Sequence, residues 1–156
     1  MTDANKTVCK AYMQLICLLV EALGPNAKQF AKKILPPMMQ NLADKQSLVR
    51  GDAITAMDKW AKECGAELII TIGGPMVAKD SPELRTEILG WINRNTESIK
   101  LVVPEALKEC CEPLVECLTD KTPAIRAAAE TLITNVMPIT GYAPFKEVIK
   151  NLKPAV

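Results

Sequence analysis

One short polar stretch recurs along the chain, and this repeat constrains the fold more than any other feature of the sequence. Its four copies are DKQSLVR at 44–50, DKTPAIR at 120–126, KDSPELR at 79–85 and, more weakly, DANKTVC at 3–9. They end 41, 35 and 41 residues apart, at Cys9, Arg50, Arg85 and Arg126. The chain is therefore built on a repeat of about 40 residues, the length of one paired-helix unit.

Each copy opens a stretch whose apolar residues recur every three or four positions, the spacing of an amphipathic helix. After residue 47, for example, the stripe comprises Val49, Ala53, Met57 and Trp60. A polar turn that opens a helix, at this period, is typical of HEAT or armadillo arrays. We therefore predict an all-α HEAT-repeat α-solenoid, in which stacked antiparallel helix pairs bury their stripes against their neighbours.

Apolar periodicity and Gly/Pro punctuation together predict eight helices. They cover residues 7–23, 26–42, 48–64, 67–78, 83–98, 104–118, 124–137 and 144–152. Ser47 is the expected N-cap of the third helix, and the sequence Gly73-Gly74-Pro75 predicts that the fourth is short and irregular. Trp60 and Trp91 lie on helix stripes, and we expect both in the core.

The first predicted helix has no partner before it, although the repeat consists of two helices. Its broad apolar face comprises Val8, Tyr12, Leu15, Ile16, Leu19 and Leu23. A terminal repeat normally needs a polar outer face for solubility. We therefore expect part of this face to be exposed, and the chain to self-associate through its N-terminal helix or to be covered by another chain.

The composition argues against several classes of function. The chain has 19 basic and 18 acidic residues, so no overall field favours nucleic acid or a membrane. The turns carry no aromatic side chains of the kind that stack on bases. The chain has no histidine and no nucleophile motif. We therefore predict no enzyme, no catalytic residue, no metal site and no cofactor.

The six cysteines include no CxxC pair. Buried free thiols in a reducing compartment are the favoured interpretation, and a disulfide framework or a zinc site is the alternative.

In a stack of this kind, all the tight turns fall along one edge. The turn residues that would line that edge are Asn5, Lys6, Lys45, Gln46, Lys79 and Lys121. The turn aspartates and the arginines six residues later are expected to bond within and between repeats. The lysines, with flexible stems, suit outward contacts. The row is either a solvated surface or a docking ridge for an acidic protein, and the residues alone leave both open.

Two stretches resemble a TOG domain, the HEAT-repeat module of the microtubule polymerases related to ch-TOG and Mini spindles. They are LGPNAKQFAKKILPPMMQNLADKQSLVRGDAITAMDKWAKECG at 23–65 and ELRTEILGWI at 83–92. The resemblance runs through nearly the whole chain. It implies that residues 1–156 form the C-terminal two-thirds of one domain: the second helix of one repeat, three further repeats and a short C-terminal helix. The first two repeats, with the turn tryptophan of tubulin-binding members, have no counterpart here.

The resemblance also implies a function. TOG domains bind tubulin dimers through the turns of one edge, which here correspond to the six turn residues named above. The implied partners are tubulin, at the microtubule plus end, and neighbouring TOG domains. The implied location is the cytoplasm and cytoskeleton, at microtubules, spindle poles and centrosomes. The alternative is a generic HEAT-repeat scaffold that binds another protein and has weak or no affinity for tubulin.

Overall fold

The computed structural model of the chain describes residues 5–78 and 81–151. Within those ranges the chain folds into α-helices and short 3-10 segments without any β-strand, which confirms the all-α prediction. The helices are α1 (Lys6–Leu23), α2 (Ala31–Gln40), α3 (Ser47–Cys64), α4 (Glu67–Met76), α5 (Pro82–Arg94), α6 (Thr96–Ile99), α7 (Pro104–Cys117), α8 (Pro123–Thr140) and α9 (Ala143–Asn151).

The helices are arranged in consecutive pairs that stack side by side. α2 pairs with α3, α4 with α5, and α7 with α8. In one layer α2, α4, α7 and α9 contact each other in turn, and in the other α1 packs on α3 and α5 on α8. The core lies between these layers, so each pair buries its apolar stripe against its neighbours, as predicted for a solenoid.

Both tryptophans belong to this core, as predicted. Trp60 and Trp91 have no exposed surface. The indole Nε1–H of Trp91 donates a 2.7 Å hydrogen bond to Oδ1 of Asp58, so the polar atom of this large side chain is satisfied. Both rings are part of the core, and neither is available as a surface contact.

The fourth helix is short, as predicted, with ten residues, but the prediction that it is irregular was wrong, because α4 runs without interruption through Gly73 and Gly74. A Cβ on Gly73 would lie 2.4 Å from Cε of Met39, and one on Gly74 would lie 2.1 Å from Sγ of Cys110. The two glycines therefore allow α4 to approach α2 and α7 closely. They serve packing between helices and do not break the helix.

Three other boundaries differ from the predictions. The second helix is preceded by a 3-10 segment, Gly24–Phe30, and followed by another, Asn41–Ala43. The predicted helix 83–98 divides at Asn95, whose side-chain amide donates to the carbonyl of Trp91 at 2.9 Å. α8 continues through Pro138 and ends only at Gly141, where φ is +77° and glycine has no Cβ to clash.

The cysteines are all free thiols, and all except the half-buried Cys17 are buried. Burial raises the pKa of Cys110 to about 12, and it also raises the pKa of Cys111 and Cys117. These thiols behave as small apolar side chains, which is the favoured interpretation of the sequence.

α1 is apolar on two sides. The side packed on α3 buries Cys9, Met13, Ile16 and Val20. The side facing away leaves Val8, Leu15, Leu18, Leu19 and Leu23 between 37% and 65% exposed. The expected exposure of part of this apolar face is thus confirmed, since only Ile16 of its six residues is buried. By length and composition, the helical stretch Lys6–Ala43 is apolar enough to be a candidate membrane span.

Replacement by alanine should have opposite effects on stability at Gly74, which lies against a neighbouring helix, and at Gly90, which does not. Gly74→Ala forces a methyl group into Cys110 and should lower the free energy of unfolding by about 1–3 kcal/mol. Gly90→Ala, in the open interior of α5, has only Nη1 of Arg94 within 4 Å, at 3.9 Å, and should raise that free energy by about 0.5–1 kcal/mol. Urea denaturation of both variants measures the difference. Equal effects at the two sites would contradict this account of α4.

Candidate functional site

The tight turns are closed by their aspartates. Oδ1 of Asp44 accepts the backbone N–H of Gln46, and Oδ1 of Asp120 accepts that of Thr122, each at 2.8 Å. Gln46 is the N-cap of α3 and Ser47 its first residue, so the prediction of Ser47 as N-cap was wrong. The carboxylate two residues upstream stabilises the turn, and a serine cap is not needed.

The arginine six residues after each aspartate fixes the backbone of the turn. Nη1 of Arg50 donates to the carbonyls of Asp44 and Lys45, at 2.9 and 3.1 Å. Nη1 of Arg126 donates in the same way to the two residues of the last turn, Asp120 and Lys121, at 2.7 and 3.2 Å. The two guanidinium groups thus hold the carbonyls of Lys45 and Lys121, while the side chains of both lysines are exposed.

Ion pairs join each repeat to the next at the same edge. Lys6 pairs with Asp44, Nε of Arg50 lies 3.0 Å from Oε1 of Glu87, and Arg85 pairs with Asp120. The partners are 35 to 38 residues apart, close to one repeat. Bonding of these aspartates and arginines within and between repeats is therefore confirmed, and the turns lie side by side along one edge, hereafter the turn edge.

The carboxylates of this network are held in their ionised form. The hydrogen bond from Lys6 lowers the pKa of Asp44, helped by the N–H of Gln46, and the same contact raises the pKa of Lys6. The N–H of Thr122 lowers the pKa of Asp120, and the guanidinium of Arg85 lowers it further. The charges of Asp44 and Asp120 are thus compensated within the protein.

The structure separates the predicted site residues into two groups. Lys45, Gln46 and Lys121 are exposed on the turn edge. Lys6 is instead occupied by Asp44, and Oδ1 of Asn5 accepts the N–H of Thr7 at 3.0 Å as the N-cap of α1. Lys79 lies outside the described residues.

Sequence reasoning missed two features of the turn edge. Leu48, directly after the second turn, is 81% exposed. The equivalent positions in the later repeats are Glu83 and Ala124. A leucine at this position, outside the apolar stripe, could therefore have been recognised from the sequence as a surface residue. A notch of about 320 Å³ also opens between the third and fourth turns, lined by Val77, Pro82, Arg85, Glu116, Cys117, Thr119, Asp120, Lys121 and Thr122.

Residues 1–150 match the family model described as CLASP N terminal. The curated relatives include Protein MOR1 of Oryza sativa subsp. japonica, 26% identical over 97% of this chain and 7% of the relative. They also include Centrosomal protein 224 of Dictyostelium discoideum, 26% identical over 99% of this chain and 8% of the relative. The chain thus spans less than a tenth of the length of these relatives.

Solved structures of TOG domains share the fold. One, reported as "Crescerin uses a TOG domain array to regulate microtubules in the primary cilium", matches with a TM-score of 0.68 and 19% identity, over 97% of this chain and 64% of that one. Another, reported as "TOG-tubulin binding specificity promotes microtubule dynamics and mitotic spindle formation", matches with a TM-score of 0.65 and 15% identity, over 94% of this chain and 57% of that one. The expected resemblance to a TOG domain is confirmed.

The turn network predicts a measurable dependence of stability on pH. Because the pKa of Asp44 and Asp120 is lowered on folding, their stabilisation is complete above about pH 4, the unfolded value, and is lost as the pH falls through the folded values. Asp120→Asn should lower the free energy of unfolding at pH 7 by about 1–3 kcal/mol. The free energy of unfolding of this variant should also fall less than that of the original protein as the pH is lowered.

The matched control is Glu97→Gln, which changes the same charge at an exposed pair with Lys100. Its effect at pH 7 should stay below about 0.5 kcal/mol. Urea denaturation from pH 2 to 7 measures both variants. A pH profile of Asp120→Asn identical to that of the original protein would contradict the role given to this carboxylate.

Proposed function

The chain belongs to the family described as CLASP N terminal, and from this membership we propose that it is a tubulin-binding TOG module of a microtubule polymerase. It docks on an acidic surface of the tubulin dimer through the turn edge. Binding, and no catalysis, is the function proposed. Residues 1–156 form the C-terminal two-thirds of one such domain.

The observation that carries the proposal is the charge arrangement of the turn edge. Lys45 and Lys121 are exposed there, whereas Asp44 and Asp120 are paired with cations of the preceding repeat. A chain with a net charge of only +1 thereby presents basic side chains in a row. Such a row attracts an acidic partner and orients it before contact.

The residues of the turn edge have different roles in the proposed binding. Lys45, Gln46, Lys79 and Lys121 contact tubulin, and Leu48 adds an apolar contact between them. Asn5 and Lys6 act indirectly, because Asn5 caps α1 and Lys6 pairs with Asp44. The arginines keep the turn backbone fixed, so the lysines start from a defined position and less entropy is lost on binding.

The names of similar proteins support the same assignment. The matched structures concern microtubule regulation and TOG–tubulin binding, and one relative is named a centrosomal protein. We accordingly place the protein in the cytoplasm on the microtubule cytoskeleton, including plus ends, spindle poles and centrosomes. Neighbouring TOG domains are proposed as further partners. A scaffold that binds another protein is the competing function.

The charge row predicts a specific effect on tubulin binding. Single substitutions, Lys45→Glu or Lys121→Glu, should weaken binding a few-fold, because an exposed ion pair contributes at most ~1 kcal/mol. The double variant replaces attraction by repulsion at two points and should weaken binding at least ~30-fold. Affinity should also fall as salt is raised from 50 to 200 mM, roughly, since exposed charges are screened over ~8–10 Å. Fluorescence anisotropy with labelled tubulin measures each dissociation constant.

Lys62→Glu with Lys146→Glu is the matched control, because both lysines are exposed on helices away from the turns and the change in net charge is the same. This control should bind like the original protein, and both double variants should keep its melting temperature. Equal affinity of the two double variants would reject the turn edge as the tubulin site and favour the scaffold. A melting temperature lowered only by Lys45→Glu/Lys121→Glu would assign these lysines a structural role.

A further inference from the structure

The ion pair between Lys6 and Asp44 is more open to solvent than the pair that holds the last turn. The side chains of Lys6 and Asp44 are 39% and 16% exposed, whereas those of Arg85 and Asp120 are 20% and 6% exposed. Asp44 directly precedes Lys45 in the second turn. A solvent-exposed pair contributes little to stability. The main effect of the Lys6–Asp44 pair is therefore on the charge of that turn.

The two carboxylate oxygens of Asp44 have separate roles. Oδ1 accepts the backbone N–H of Gln46 at 2.8 Å and closes the turn, whereas Oδ2 accepts a hydrogen bond from Nζ of Lys6. An asparagine at this position keeps an oxygen for the N–H of Gln46, but its amide nitrogen is a donor and cannot pair with an ammonium group. The shape of the turn and the pairing of Lys6 therefore depend on different atoms, and a single substitution can separate them.

The charge that the second turn presents to a partner depends on this pairing. Lys6 and Asp44 together contribute no net charge, so the charge of the turn is that of Lys45. Removal of the carboxylate charge would release Lys6 as a second cation close to Lys45. Removal of Lys6 would instead leave an uncompensated carboxylate next to Lys45. Because charges this close together are only weakly screened from each other by salt, each change alters the attraction of an acidic surface.

We propose that Asp44 limits the affinity of the turn edge for tubulin, because it compensates the charge of Lys6, which would otherwise add to the basic row. This inference rests on the proposed docking of tubulin at the turn edge. Lys6 is a positioning residue in this account, since it acts on the partner through Asp44 and not by contact. A residue of one repeat thus sets the charge of the turn in the next repeat, and the pair that links the two repeats lowers the affinity for an acidic partner.

Tubulin binding by three variants tests the proposal, measured by fluorescence anisotropy in about 100 mM salt. Asp44→Asn should bind roughly 2–5-fold more tightly than the original protein, and Lys6→Met roughly 2–5-fold more weakly. The double variant Lys6→Met/Asp44→Asn should bind like the original, because its net charge is the same. These differences should disappear at about 500 mM salt, where charges are screened over about 4 Å. All three variants lack the ion pair, so none should melt at a higher temperature than the original. A purely structural role would weaken binding in all three.

Glu97→Gln is the matched control, because it raises the net charge by the same amount and also removes an exposed ion pair, that with Lys100 at 2.8 Å. Glu97 follows α5, a helix of 13 residues that begins at the third turn. It therefore lies roughly 20 Å from the turn edge, about twice the distance over which charges act at this salt concentration. Its affinity for tubulin should equal that of the original protein. An equal gain in affinity for Glu97→Gln and Asp44→Asn would overturn the proposal in favour of an effect of net charge.

Two further results would overturn the proposal. One is an affinity of Asp44→Asn equal to or below that of the original protein, with helicity retained. If this variant does not fold, Lys6→Met decides, and an unchanged affinity of that variant is the contrary result. The failure of this inference is distinguishable from that of the proposed docking. Weaker binding by Lys45→Glu/Lys121→Glu without tighter binding by Asp44→Asn rejects only the role of Asp44, whereas unchanged binding in both rejects the turn edge as the tubulin site.

Discussion

The contact between the aspartate of one turn and a cation of the preceding repeat determines the geometry of the turn edge. The side chain of Asp120 is only 6% exposed beside Arg85, and a carboxylate so placed is stabilised in its charged form by pairing and hydrogen bonds. The same pairing fixes how far one repeat is displaced from the next. Architecture and surface charge are therefore linked, because the contacts that align these turns also compensate the negative charges of Asp44 and Asp120.

Packing between the layers depends on small residues as much as on large ones. Trp60 and Trp91 are the largest fully buried side chains of the core, whereas Gly73 and Gly74 let α4 lie close to its neighbours. A solenoid contacts only adjacent repeats, so each interface must be complementary by itself.

The sequence predicted the structural features that depend on local residue patterns. It failed for features that depend on contacts between residues far apart in the sequence. Period, helix content and the burial of both tryptophans follow from apolar spacing, which is a property of neighbouring residues. The role of Gly74 depends on Cys110, and that of Lys6 on Asp44, each about 36–38 residues away and not specified by any local rule. For α1 the apolar spacing predicted a broad face and its partial exposure, but periodicity alone could not tell which residues meet α3, because both sides of the helix are apolar. Lys45, Gln46 and Lys121 were predicted at the surface because a turn exposes its central residues whatever its partners are.

The thiol of Cys110, which lies against Gly74, becomes reactive when the contact between α4 and α7 opens. A thiol reacts as the thiolate, and Cys110, with its pKa raised to about 12 and only 3% of its surface exposed, is protected while α4 and α7 stay together. When that interface opens, the pKa falls toward the value of a free cysteine and the sulfur becomes reactive. Its rate of alkylation, compared with that of the half-buried Cys17, therefore reports how often the middle of the stack separates, without any label being introduced.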